Sequence, residues 1–165
     1  MFTRILVPTD FSEPSDAALD YAKDIASRFG ASLHLVHVVE DPVVTGVFGA
    51  PTYVPESPGA SAALRADAEF RLGARLNDVT RAPLRATSEV LYGPNAPTIV
   101  NRARELAIDL IVMGTHGRTG MAHAIMGSVA ERVVRFASCP VLTVHARAEA
   151  VVRQVPATEQ VPALA

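Results

Sequence analysis

The chain alternates short, mainly apolar runs with longer stretches in which apolar residues return every three or four positions. Phe2 to Pro8 is an apolar run closed by proline, the pattern of a strand buried on both faces. Ser12 is placed to cap a helix with Glu13 and Pro14 in its first turn, and Ala18, Ala22, Ile25 and Phe29 then recur at helical steps before Gly30. Ser32 to Val39 reads as a second strand. Residues 40–59 hold Pro42, Pro51, Pro55 and Pro58 among glycines, which predicts a long loop without regular structure. Ala60 to Val79, rich in alanine, leucine and arginine, predicts a second helix, and a third strand falls within Leu84 to Leu91. Asn95 is placed to cap a third helix with Ile99, Val100, Ala103, Leu106 and Ala107 facing inward. Ile108 to Met113 predicts the fourth strand, Ser128 to Phe136 a short helix, and Pro140 to His145 the fifth strand.

Strands alternating with helices imply an α/β fold: a parallel sheet with helices on both faces. Right-handed connections then give the Rossmann-like strand order 3-2-1-4-5, with a switch point between the first and fourth strands. A length of 165 residues, 49% of them hydrophobic, suits one domain, expected over residues 1–146. The tail 147–165 has no clear period and is expected to be disordered.

Charge narrows the partners. A net charge of -2 from 15 basic and 17 acidic residues, with no long run of either sign, leaves no footprint for nucleic acid. The longest apolar runs fall far below the roughly 20 residues that span a bilayer, so no membrane association is expected. Cys139 is alone and Met1 to Pro8 lacks the features of a secretory leader, which predicts a cytoplasmic protein.

Two segments should meet at the switch point: Pro8-Thr9-Asp10-Phe11-Ser12 after the first strand, and the stretch from Gly114 to Ser128 after the fourth. The second reads Gly, two residues, Gly, nine residues, Gly-Ser. Gly114 and Gly117 let the main chain curl close to phosphate oxygens, while Gly127 and the Ser128 hydroxyl sit at a helix N-terminus, where amides and the helix dipole attract an anion. Arg118, within the loop, can reach a terminal phosphate. Asp10 suits ribose hydroxyls, or a magnesium ion held through water. Pro8, Val38 and Met113 are candidates for the surface against which adenine lies.

With these residues in view, the chain resembles the universal stress protein family up to His145, in the opening Ile5 to Ser12, the pair His37-Val38, and the stretch from Asp109 through Gly127-Ser128 to Leu142. The glycine spacing matches the family's nucleotide-binding branch. The resemblance implies an adenine nucleotide alpha hydrolase-like sheet and ATP as ligand. It also implies that Asp10, Val38, Gly114, Gly117, Gly127 and Ser128 are contacts, with Thr9, Met113, His116 and Val129 as neighbours.

Other sites fit poorly. A P-loop needs a lysine near its last glycine, and the chain's single lysine is Lys23. A receiver domain needs clustered carboxylates that Asp10 lacks at the neighbouring strand ends, and a flavin mononucleotide loop would want glycine after the first strand. His34 and His37 have opposite parity on one strand, so they do not pair as metal ligands, and structural roles are expected for both. Cys139 reads as a small packed residue. The fifth strand, as a sheet edge carrying Val141, Leu142 and Val144, predicts a homodimer, which the resemblance also implies. Three uses of the nucleotide site remain open: a binding module sensed by an unknown protein partner, a slow ATPase or self-phosphorylating protein with Ser128 or Thr119 as acceptor, and a scaffold without nucleotide.

Overall fold

The computed structural model describes residues 2–40, 43–45, 51–53, 58–80, 84–115 and 126–145. The first strand, β1 (Arg4–Pro8), is apolar because both of its faces are covered: Ile5, Leu6 and Val7 are fully buried. Helix α1 (Glu13–Phe29) follows, stopped by Gly30 in the left-handed conformation at φ 67°. Its buried stripe is Ala18, Leu19, Ala22 and Ala26, so the helix is turned slightly from the predicted face. Ile25 only flanks the core, and Phe29 lies partly exposed with its ring edge-on to Phe2.

Strand β2 (Ser32–Val39) has the predicted bounds. The next segment departs from expectation, for β3 (Val43–Thr45) and β4 (Pro51–Tyr53) pair antiparallel with Val43 opposite Tyr53. β-Branched residues favour the extended backbone, and Pro51 stands first in its strand, the position where a missing N–H is tolerated. Helix α2 (Pro58–Thr80) begins earlier than predicted, with proline as its first residue. After β5 (Ala86–Tyr92) comes α3 (Asn95–Glu105), whose N-cap is Pro94 rather than Asn95. Proline holds the extended φ that a cap position requires, and the Asn95 amide donates to Glu40 Oε1 at 3.2 Å. Helix α3 stops before Ala107, which turns left-handed at φ 47°, so its core face is Ala96, Ile99, Val100 and Ala103. Strand β6 (Leu110–Gly114), helix α4 (Ser128–Phe136) and strand β7 (Val141–Val144) complete the chain, α4 with the bounds predicted.

The main sheet is parallel, in the order β5-β2-β1-β6-β7, which is the predicted 3-2-1-4-5 arrangement. Alternation along β1 divides the core. Ile5 and Val7 pack with Ala18, Ala22 and Leu72 on the side of α1 and α2, and Leu6 packs with Ile99, Val100 and Val133 on the side of α3 and α4. At the far end of the sheet, the Asp109 carboxylate accepts hydrogen bonds from the Thr3 amide (2.8 Å) and hydroxyl (2.7 Å), pinning the start of β1 beside β6. Strand β7 is an edge, as expected. Val144, however, is buried in the α1-side core, so Leu142 is the large apolar side chain this edge exposes. Cys139 packs against the other core, and burial pushes its thiol up. Among the described residues no helix is long and apolar enough to cross a membrane.

Candidate functional site

The carboxyl ends of β1 and β6 open onto a cavity of about 610 Å³. Strand order reverses here, because the chain leaves β1 for β2 on one side and only later returns to form β6 on the other. Ligands of open α/β sheets settle in such a crevice.

The loop after β1 is held by its own short side chains. Thr9 continues the ladder by donating its amide to the Val36 carbonyl at 2.9 Å, and its hydroxyl accepts the Phe11 amide at 3.0 Å. One oxygen of Asp10 accepts both the amide (3.1 Å) and the hydroxyl of Ser12. Ser15, from the first turn of α1, bonds to the Thr9 hydroxyl at 3.0 Å and donates to the Ser12 carbonyl at 2.8 Å. These bonds hold Phe11 at φ 65°, a conformation that costs a non-glycine residue free energy and is met most often at functional sites. The Phe11 ring lies 4.4 Å from that of His37, between centroids, and the guanidinium carbons of Arg71 and Arg75 lie 4.3 and 4.9 Å from its centre. His37 Nδ1 donates to the Thr9 carbonyl at 2.7 Å, tying β2 to the loop. His34 bonds to Thr87 Oγ1 at 2.8 Å, so both histidines take structural partners.

The opposite wall comes from β6 and α4. Gly114 has a packing reason for lacking a side chain: a Cβ there would lie 2.9 Å from Pro14 in the first turn of α1. Thr115 donates its amide to the Val144 carbonyl, and its own carbonyl accepts the Gly127 amide at 2.7 Å, which closes the two ends of the intervening segment on each other. The Gly127 amide is thereby used within the protein. Further on, Ser128, Val129 and Ala130 line the cavity from the first turn of α4, where a helix has no internal acceptors for its amides. The N-cap, Gly127, has no side chain to cap this helix, and the helix dipole adds partial positive charge at that end.

Of the residues expected at the site, Pro8, Thr9, Asp10, Val38, Met113 and Gly114 line the cavity. Gly127, Ser128 and Val129 join them from α4. His116, Gly117, Arg118 and Thr119 lie outside the described residues. The sequence reading missed the plate formed by Phe11 and His37, and it did not place the second helix, α2, at the cavity. Leu64, Asp67, Ala68 and Arg71 all border the cavity, and their spacing is legible as one helical face, but nothing in the sequence tells which face meets the crevice. The charges divide. Among the described lining residues, the carboxylates Asp10, Glu40 and Asp67 stand on the β1, β2 and α2 side, and the α4 side offers backbone amides. Among the described residues no group of three His, Cys, Asp or Glu could hold a metal ion by itself.

Fold and crevice define a doubly wound α/β protein with an open cavity at its switch point. The model of the universal stress protein family matches residues 1–145, and the chain belongs to that family. It is similar to the universal stress protein MJ0531 of Methanocaldococcus jannaschii, 34% identical over 87% of this chain and 82% of that protein. Among solved structures, that of MJ0577 from the same archaeon superposes with a TM-score of 0.76, at 26% identity, over 88% of this chain and 96% of the other. A universal stress protein solved in complex with cAMP shares the fold at a TM-score of 0.66 and 24% identity, covering 88% of this chain and 98% of the other.

Proposed function

We propose that the crevice binds an adenine nucleotide, ATP above all, and that the protein acts as a nucleotide-dependent module in a stress response. One observation carries this reading: the first turn of α4, Ser128 to Ala130, and the loop Pro8 to Phe11 open onto the same cavity at the switch point. A volume of about 610 Å³ suits a nucleotide-sized ligand. The amides of α4 would hold phosphate oxygens, with His116, Gly117 and Arg118 completing the cradle. Asp10 would accept hydrogen bonds from ribose hydroxyls, and the apolar surface of Pro8, Val38 and Met113 would carry the base. Magnesium bound with ATP suits this donor set, because that ion needs few carboxylates when phosphates and water fill its shell, and Asp10 would reach it through water. The cAMP found in a protein of the same fold supports the ligand class.

In this reading the protein is cytoplasmic and pairs with a second copy along the β7 edge. A protein partner senses the occupied state. Mass spectrometry of ligand released by heat from freshly purified protein, with calorimetry using ATP, AMP and a cyclic nucleotide, tests the assignment. Release of an adenine nucleotide and tightest binding of ATP are expected. Protein that carries no nucleotide and gives no binding heat with any of the three overturns it.

A further inference from the structure

We infer that Arg71 on α2 stacks against the nucleobase and walls the pocket on the side opposite α4. This rests on the proposed nucleotide site and assigns a residue to its base end. Helices α1 and α2 cover one face of the sheet and α3 and α4 the other, so Arg71 and the amides of Ser128 to Ala130 border the cavity from opposite walls. Asp67 borders the cavity from α2 and Asp10 from the loop after β1, while Glu40, at the end of β2, accepts the α3 amide of Asn95. Asp67 offsets the charge of Arg71 on the α2 wall while the α4 dipole attracts a polyphosphate, and the uncharged base and ribose therefore fall beside α2.

Arg71 has the geometry of a stacking platform. Its guanidinium carbon sits 4.3 Å from the centre of the Phe11 ring, and Phe11 is itself buried, backed by His37, and fixed in an uncommon backbone conformation by Thr9. The guanidinium lies against that plate while the residue borders the cavity, and its other face would take the ligand ring. Planar guanidinium groups bind aromatic faces in this way, and every base presents one. Nearby Arg75 has a different task. It makes a two-pronged ion pair with Asp16 (2.8 and 2.9 Å), fastening α2 to α1, and does not border the cavity. The pairing of Arg71 with Asp67 is looser, at 3.7 Å.

The test compares wild type, Arg71→Met and Arg71→Lys, each first shown to unfold cooperatively in urea. ATP binding is measured by calorimetry and adenosine binding by NMR titration. The stack predicts a loss of about tenfold for both ligands in Arg71→Met. Arg71→Lys, which keeps the charge and the apolar stem but not the plane, should lose nearly as much. In wild type, nuclear Overhauser contacts should join the Arg71 δ-protons to adenine H2 or H8. A loss seen with ATP but not adenosine, full rescue by lysine, unchanged affinities, or absence of those contacts in a saturated complex each overturns the inference while leaving the nucleotide site standing. Wild type that binds neither ligand overturns both.

Discussion

Replacing Ser128 by proline removes one backbone donor from the first turn of α4 and leaves the helix able to form. Ser128 is the first residue of α4, the one helical position where proline's missing N–H breaks no internal bond. The residue before a proline must be extended, and Gly127 already is, at φ −71° and ψ 153°. Ser128 is exposed, so the new ring meets solvent. Folding stability should therefore stay within about 1 kcal/mol of wild type, and can rise, since proline restricts the unfolded chain. Under the proposed function, the ligand loses one amide donor to its phosphates. A hydrogen bond to a charged group contributes about 1.5–3 kcal/mol, so ATP should bind about ten- to a hundredfold more weakly. Ser128→Ala, which keeps the amide and deletes the hydroxyl, separates the two contributions. Calorimetry with ATP, beside urea unfolding of each variant, reads the result. A folded Ser128→Pro protein with wild-type ATP affinity would refute the argument that the first turn of α4 holds the phosphates.

Three further outcomes follow from the packing. Gly114→Ala places a Cβ 2.9 Å from the backbone and side chain of Pro14, and should destabilise the fold by about 1–3 kcal/mol in urea denaturation. For Asp109, burial alone would raise the carboxyl, but hydrogen bonds from the Thr3 side chain and amide and from the Arg4 amide hold it below the ordinary 3.8. A depressed carboxyl stabilises the fold above its unfolded pKa and loses that contribution as pH falls through the folded value, so Asp109→Asn should flatten the acid limb of stability below about pH 4. That limb is followed by thermal melts at stepped pH. Leu142→Glu puts a charge on the exposed apolar position of the β7 edge and should convert the dimer proposed above to monomer in sedimentation equilibrium, with secondary structure unchanged; a wild type that is already monomeric refutes that dimer.

Much of the fold is written in local pattern. Runs such as Ile5 to Val7 are apolar because a parallel strand is covered on both faces, and the stops at Gly30 and the start at Ser128 follow from backbone preferences of one or two residues. Chirality of the connections then determines the strand order and hence the crevice. Elements whose identity depends on partners were harder to read. The β3–β4 hairpin lies in a proline-rich stretch that local signals assign to loop, because strands so short are specified by their pairing rather than by a period. The cap of α3 moved by one residue for a similarly contextual reason, as the Asn95 amide found Glu40 across the crevice.

For the site, the sequence by itself determined which strand ends meet, and so that Pro8 to Asp10, Met113, Gly114 and Gly127 to Val129 border one cavity. Spacing along the chain carries that information, because the glycines and the strand ends belong to contiguous segments. Only the tertiary structure decided that the Gly127 amide serves Thr115, that Gly114 is bare to admit Pro14, and that Phe11, His37 and Arg71 form a layered wall. Those are contacts between residues distant in sequence or turned toward each other by a backbone angle, and no periodicity encodes the direction in which a helix such as α2 faces once it is laid across the sheet.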